Sequence, residues 1–190
     1  MTQRGEYRRS VYDALGYLNA WDPASPDTFY AQNLPRGPMT DGAIAATGIM
    51  TSVPISLASG DVITNISFRT GATAGGTMTN WWVALYDDSA TPALMAQCAD
   101  QTSGAIAANT TITKALSAAQ TIRRTGIYQV AIMVAATTIP TLLGWTVWPS
   151  GVVTGDGQLA RSSGSGLTTT APATIATTTE RTHVPRFVLT

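Results

Sequence analysis

Between Asp61 and Gly144 the chain repeats a single pattern. Short runs rich in Thr, Val, Ile and Trp alternate apolar and polar residues, and each run ends in a turn signal. A period of two belongs to a strand with one face turned to a core. Val62, Thr64, Ile66 and Phe68 alternate with Ile63, Asn65, Ser67 and Arg69 after the turn Ser59-Gly60-Asp61. Asn80 to Tyr86 is apolar on both faces, which suits a central strand or one at a subunit contact. Asp87-Asp88-Ser89 with Pro92 turns the chain, and Leu94 to Ala99 returns as a hairpin partner. Asn109 to Leu116 reads as a strand, Thr121 to Arg124 as a short edge, and Ile127 to Ala135 as a long strand with Tyr128, Val130, Ile132 and Val134 on one face. Ile44 to Leu57 reads as one or two short strands interrupted by Gly48 and Pro54. No stretch of helical period competes, and the crossover helices of a parallel sheet are missing. The expected fold is therefore all-β, an antiparallel β-sandwich of jelly-roll type.

Three regions follow from composition. Residues 1–42 read as an N-terminal arm, with Trp21, Phe29, Tyr30 and Met39 set among Pro23, Pro26, Pro35 and Pro38. Prolines break ladders and helices, and aromatic rings between them need a place to dock. That place is either the chain's own domain, with the arm as a strap, or a neighbouring subunit. Residues 43–144 form the sandwich core. Residues 145–190 are an extension: Trp145, Val147 and Trp148 lead into a Gly/Ser/Thr/Ala-rich stretch from Gly151 to Thr179. That stretch is either an extended loop pinned to the domain or a semi-ordered connector. Arg181 to Thr190 alternates again and predicts a final strand, added to its own sheet or a neighbour's.

At 190 residues the chain is long enough to bury a core without cross-links, and Cys98, being alone, forms no internal disulfide. Charged residues make up 12% and the formal net charge is zero. Nucleic-acid binding needs many phosphate-neutralising cations and is not expected. Arg4, Arg8 and Arg9 precede no apolar run, so neither a secretory signal nor a membrane span is expected, and synthesis in the cytoplasm is. A neutral Thr/Ala/Ser/Gly surface suits a protein packed in an assembly.

Catalytic equipment is sparse. His183 is the only histidine, and no Gly-x-Ser-x-Gly elbow accompanies it. Structural zinc needs four ligands, usually Cys or His, and the chain has two such residues. Asp61, Asp87, Asp88, Asp100 and Asp156 fall where turn-capping aspartates belong, and EF-hand spacing is absent. No catalytic residue, metal or cofactor is expected. The tryptophans carry the remaining signal. Trp81, Trp82, Trp145 and Trp148 either divide into one core and one subunit-seam residue per pair, or form a stacking platform for sugar rings. The interface candidates are Trp21, Phe29, Tyr30, Trp81, Trp145, Trp148 and Phe187.

Four segments carry a resemblance. They are Ser10-Val11-Tyr12-Asp13-Ala14-Leu15-Gly16-Tyr17-Leu18, Val62-Ile63-Thr64-Asn65-Ile66-Ser67-Phe68, Asn80-Trp81-Trp82-Val83-Ala84-Leu85-Tyr86, and Gly126-Ile127-Tyr128 followed by Ile132 to Leu142. With them the chain resembles a family of virion proteins from phages of actinobacteria, small β-sandwich proteins often grouped with minor tail proteins. The resemblance implies a non-enzymatic structural subunit located in the virion. Its expected partners are copies of itself in a symmetric oligomer such as a trimer, and other virion proteins of tail or capsid. A capsid decoration or head-fibre protein is the alternative within this class. A carbohydrate-binding module touching a host surface glycan is the alternative outside it.

Overall fold

The computed structural model describes residues 31–35, 37–146 and 157–190, and among them it is all-β, with antiparallel pairing throughout and no helix. In chain order the strands are β1 (Ala31–Gln32), β2 (Thr40–Ala43), β3 (Ile49–Leu57), β4 (Val62–Arg69), β5 (Gly76–Tyr86), β6 (Leu94–Gln97), β7 (Thr111–Thr121), β8 (Gly126–Thr138), β9 (Thr141–Thr146), β10 (Ala160–Ser163), β11 (Thr178–Arg181), β12 (His183–Pro185) and β13 (Phe187–Leu189). One sheet has the order β1-β13-β4-β7 and a second β11-β10-β3-β8-β5-β6, while β12-β9-β2 forms a small third. The first two pack face to face. Phe68 of β4 meets Trp81 of β5 edge-on, with ring centroids 6.1 Å apart, and also meets Phe187 of β13 at 6.1 Å. The fold is thus β-sandwich-like, as the alternation implies.

The alternation of β4 carries one interruption. Ile66 and Phe68 point inward as expected, but so does Ile63, while Val62 is 46% exposed. The N–H groups of Thr64 and Asn65 both donate to the Thr190 carbonyl, at 2.7 and 2.8 Å, which is the signature of a bulge. The extra residue shifts the phase, so the residues before it change face. On the other side of β4, the register to β7 jumps between Ile63/Gln120 and Asn65/Ala115.

Three expectations about strand limits are corrected. Pro54 does not interrupt β3, which pairs with β8 from Ile49 to Leu57. β10 reaches only Met50 to Ser52 on the other side, so Pro54 stands where β3 has a single neighbour and its missing donor costs little. Gly48, at φ +66°, does mark the strand's start. Thr121 to Arg124 is no separate edge, because β7 runs on to Thr121. The C-terminal run is two strands, since the chain changes sheet at Arg186: β12 pairs with β9, whereas β13 pairs with β4 and β1. The switch is held by the segment just after residue 30. Asn33 donates to the Pro185 carbonyl and accepts from the Phe187 N–H, and Arg186 donates to Gln32 and to the Leu34 carbonyl.

The core therefore continues past Gly144. Phe187 and Leu189 are fully buried, and β1 and β2 place residues 31–32 and 40–43 in the chain's own sheets. Residues 1–30, which carry most of the expected arm, lie outside the described residues. The Gly/Ser/Thr-rich segment, described from residue 157, is a pinned loop that also supplies β10. It covers the outer face of β5. Trp82 Nε1 donates to the Thr168 carbonyl and the Tyr86 hydroxyl to that of Pro172, while Gln97 bonds both Thr169 and Ala171. Ala171 and Ile175 supply buried apolar contacts. This third layer is why β5 reads apolar on both faces.

Replacing Phe187 with Ala removes a fully buried ring from the contact between the sheets. The substitution should lower stability by about 3–5 kcal/mol, read as an earlier midpoint in urea unfolding. A loss below about 1 kcal/mol would mean that the core does not depend on the C-terminal strand.

Candidate functional site

The interface candidates separate sharply. Trp81, 2% exposed, belongs to the core. Its indole N–H donates to the Gly104 carbonyl at 2.8 Å, and the Lys114 ammonium sits 5.0 Å from its ring centroid. Trp82 is fully buried beneath the pinned loop. The expected division of this pair into a core and a seam residue is thus corrected: β5 is covered on both sides, so neither ring reaches a partner or a sugar. Phe187 is likewise core rather than interface. Trp145 on β9 is half-buried beside Gly37, its indole N–H shielded and without an acceptor. It is the one candidate among the described residues that keeps some surface. Trp21, Phe29, Tyr30 and Trp148 lie outside the described residues.

Several of the described titratable groups serve turns and packing. His183 is buried, one ring nitrogen 3.0 Å from the Leu142 carbonyl, and among the described residues no serine bonds it. Cys98 is 1% exposed and accepts the Val83 N–H, and burial pushes its thiol up, away from the reactive thiolate. Asp87 caps its turn by accepting from the Ser89 N–H, the Ser89 hydroxyl and the Ala93 N–H. Burial raises its carboxyl, but these bonds outweigh it and the net direction is down. Asp88 holds Arg124 through two bonds of 2.8 and 2.9 Å, at a site where Gly126 leaves room for the carboxylate. Arg124 is 71% exposed, so the pair contributes little to stability. Among the described residues, no group of three or more His, Cys, Asp or Glu could hold a metal ion.

One polar cluster escaped sequence reasoning. Asp100 accepts from Asn80 and Thr102, while its neighbour Gln101 accepts from Lys114 at 2.6 Å, beside Trp81. These residues come from β5, β7 and the loop after β6, and they tie the two sheets together beside the Cys98–Leu116 bridge. The one available signal was that Lys114 is the chain's only lysine and stands in an otherwise uncharged strand.

What remains is surface. The outer side of β4 and β7 carries hydroxyl ladders, with Ser67 and Thr113 2.7 Å apart and Arg69 donating to Thr111. The large exposed apolar side chains among the described residues are Val62, Ile127 and Leu159, placed on different strands and loops. Singly scattered apolar residues are ordinary surface. The described surface is therefore rich in hydroxyl groups. No protein-family model matches the chain. No curated protein matches it either.

Cys98 should resist a thiol reagent such as DTNB in the native protein and react fully once guanidinium unfolds it. Rapid stoichiometric labelling of the native protein would contradict the closed packing of β6 against β7.

Proposed function

We propose that this protein is a non-enzymatic structural subunit of a bacteriophage virion, a tail-associated minor tail protein built on a jelly roll. The observation that carries this reading is the strand order. Take β1, β3, β4, β5, β6, β7, β8 and β13 as the first to eighth strands. One sheet then runs first-eighth-third-sixth and the other second-seventh-fourth-fifth. That interleaving is the jelly-roll scheme, an architecture of viral capsid proteins and lectins. On this reading β2, β9 and β12 are an accessory sheet, and β10 and β11 extend one edge.

A fold hosts many functions, so the surface must carry the rest. The described exterior is hydroxyl-rich, and Asp87, Cys98 and His183 are engaged in turns and packing. Such a surface favours packing among copies over steering a charged ligand. Three of the segments that carry the resemblance to actinobacteriophage virion proteins coincide with core strands: Val62 to Phe68 with β4, Asn80 to Tyr86 with β5, and Gly126 to Tyr128 with Ile132 to Leu142 on β8 and the start of β9; Ser10 to Leu18 lies outside the described residues. The glycan-binding reading loses Trp81 and Trp82, which are buried.

The test is immunogold labelling of intact virions with antibody raised against the purified protein. Gold at the tail end is the expected result. Gold over the head would replace the tail reading with capsid decoration, and particles free of gold would overturn the virion assignment.

A further inference from the structure

We propose that His183 is a proton-operated latch: acid places a second proton on a ring nitrogen that has no acceptor, and β2 and β12 then loosen from β9.

The geometry fixes the neutral ring. Nε2 lies 3.0 Å from the Leu142 carbonyl, which can only accept, so the proton of the neutral imidazole sits on Nε2. Nδ1 is buried without a hydrogen-bond partner. It faces Gly42, where even a methyl group would collide with the ring. His183 is only 7% exposed, so water cannot readily solvate a charge there. A proton on Nδ1 would thus be a buried donor aimed at the Gly42 backbone.

The charged neighbours do not cancel this. β2 contributes Asp41, whose carboxylate favours the charged ring but is itself engaged by Thr141 and the Ala72 N–H. β11 contributes Arg181, which opposes the charge and donates to the Ile44 carbonyl, and Glu180, which stands opposite Arg161 of β10 in the ladder. β9 contributes no titratable group. Burial is the largest influence, and the net direction is down from the ordinary 6.5. The unfolded chain therefore takes its proton at higher pH than the folded one. The stability held by the neutral ring is present above about pH 6.5 and is lost as pH falls through that value, until the folded ring itself titrates.

The location gives the latch its reach. His183 joins all three strands of the small sheet: it belongs to β12, bonds to β9 and packs on Gly42 of β2. β2 begins six residues after Leu34, the last residue of the clamp on the sheet switch at Arg186, and β12 leads into β13. Loosening would begin where both terminal segments enter the sandwich, while β5 and β8 stay in place. This holds whatever larger structure the protein serves.

Hydrogen exchange of the full chain from about pH 7.5 to about pH 5, corrected for intrinsic rates, tests it, alongside NMR titration of the single imidazole. The expected result is an imidazole titrating below 6.5. Protection in β2, β9 and β12 should fall by up to about tenfold per pH unit below that value, with β5 and β8 unchanged. His183→Gln, whose amide can reach the Leu142 carbonyl but does not titrate, should abolish the pH dependence. Unchanged protection in the small sheet, an imidazole titrating at or above its ordinary value, or the same pH dependence in the Gln variant would each overturn the latch. If the variant fails to fold, the wild-type titration and exchange, with β5 and β8 as internal reference, decide alone.

Discussion

The structure rests on the contact of Phe68 with Trp81 and Phe187 between the two large sheets. Each ring comes from a different stretch of chain: an early strand, a central strand and the C-terminal strand. Burying them together brings distant segments into one core, which local contacts could not do. The arrangement is costly in chain entropy, since the terminal strands must close very long loops before they gain any contact. The return is a core in which Trp81, Trp82, Tyr86 and Phe187 are all shielded, and aromatic rings dominate the apolar area buried by a domain of this kind. Everything that follows, including the position of β1, the pinned loop and the small sheet, depends on that closure.

Much of this was legible in the residues. The period-two pattern of Val62 to Arg69 and of Ile127 to Ala135 gave β4 and most of β8, and the doubly apolar run Asn80 to Tyr86 marked the central strand. What the pattern did not reveal has physical causes. The bulge at Thr64–Asn65 depends on the carbonyl of Thr190, far away in sequence, so no local rule could show that Val62 would turn outward. β10 is Ala-Arg-Ser-Ser, a run with no strand preference, and it pairs because β3 and β11 lie on either side of it. The placement of both Trp81 and Trp82 inside required knowing that residues 164–175 form a layer over β5. A Gly/Ser/Thr-rich segment gives no sign of what it covers. Lys114 and Gln101 meet through tertiary geometry alone.

The same physics shapes the functional reading. The interior spends its aromatic rings on packing, and the described surface carries many hydroxyl groups. A sandwich with such an exterior would pack without strong electrostatic preference. Such a surface gains affinity by repetition, since symmetric copies multiply each modest contact. That is the logic behind the assembly role proposed above. The small sheet, with its buried histidine, is where the platform carries a titrating group inside its packing.

The most direct test of this account is the solution oligomeric state of the full-length protein, by sedimentation velocity near neutral pH across a range of concentrations. A closed symmetric oligomer that persists on dilution is the expected result, with a trimer the expected species. A single monomeric species at every concentration would contradict a protein built to pack among copies of itself.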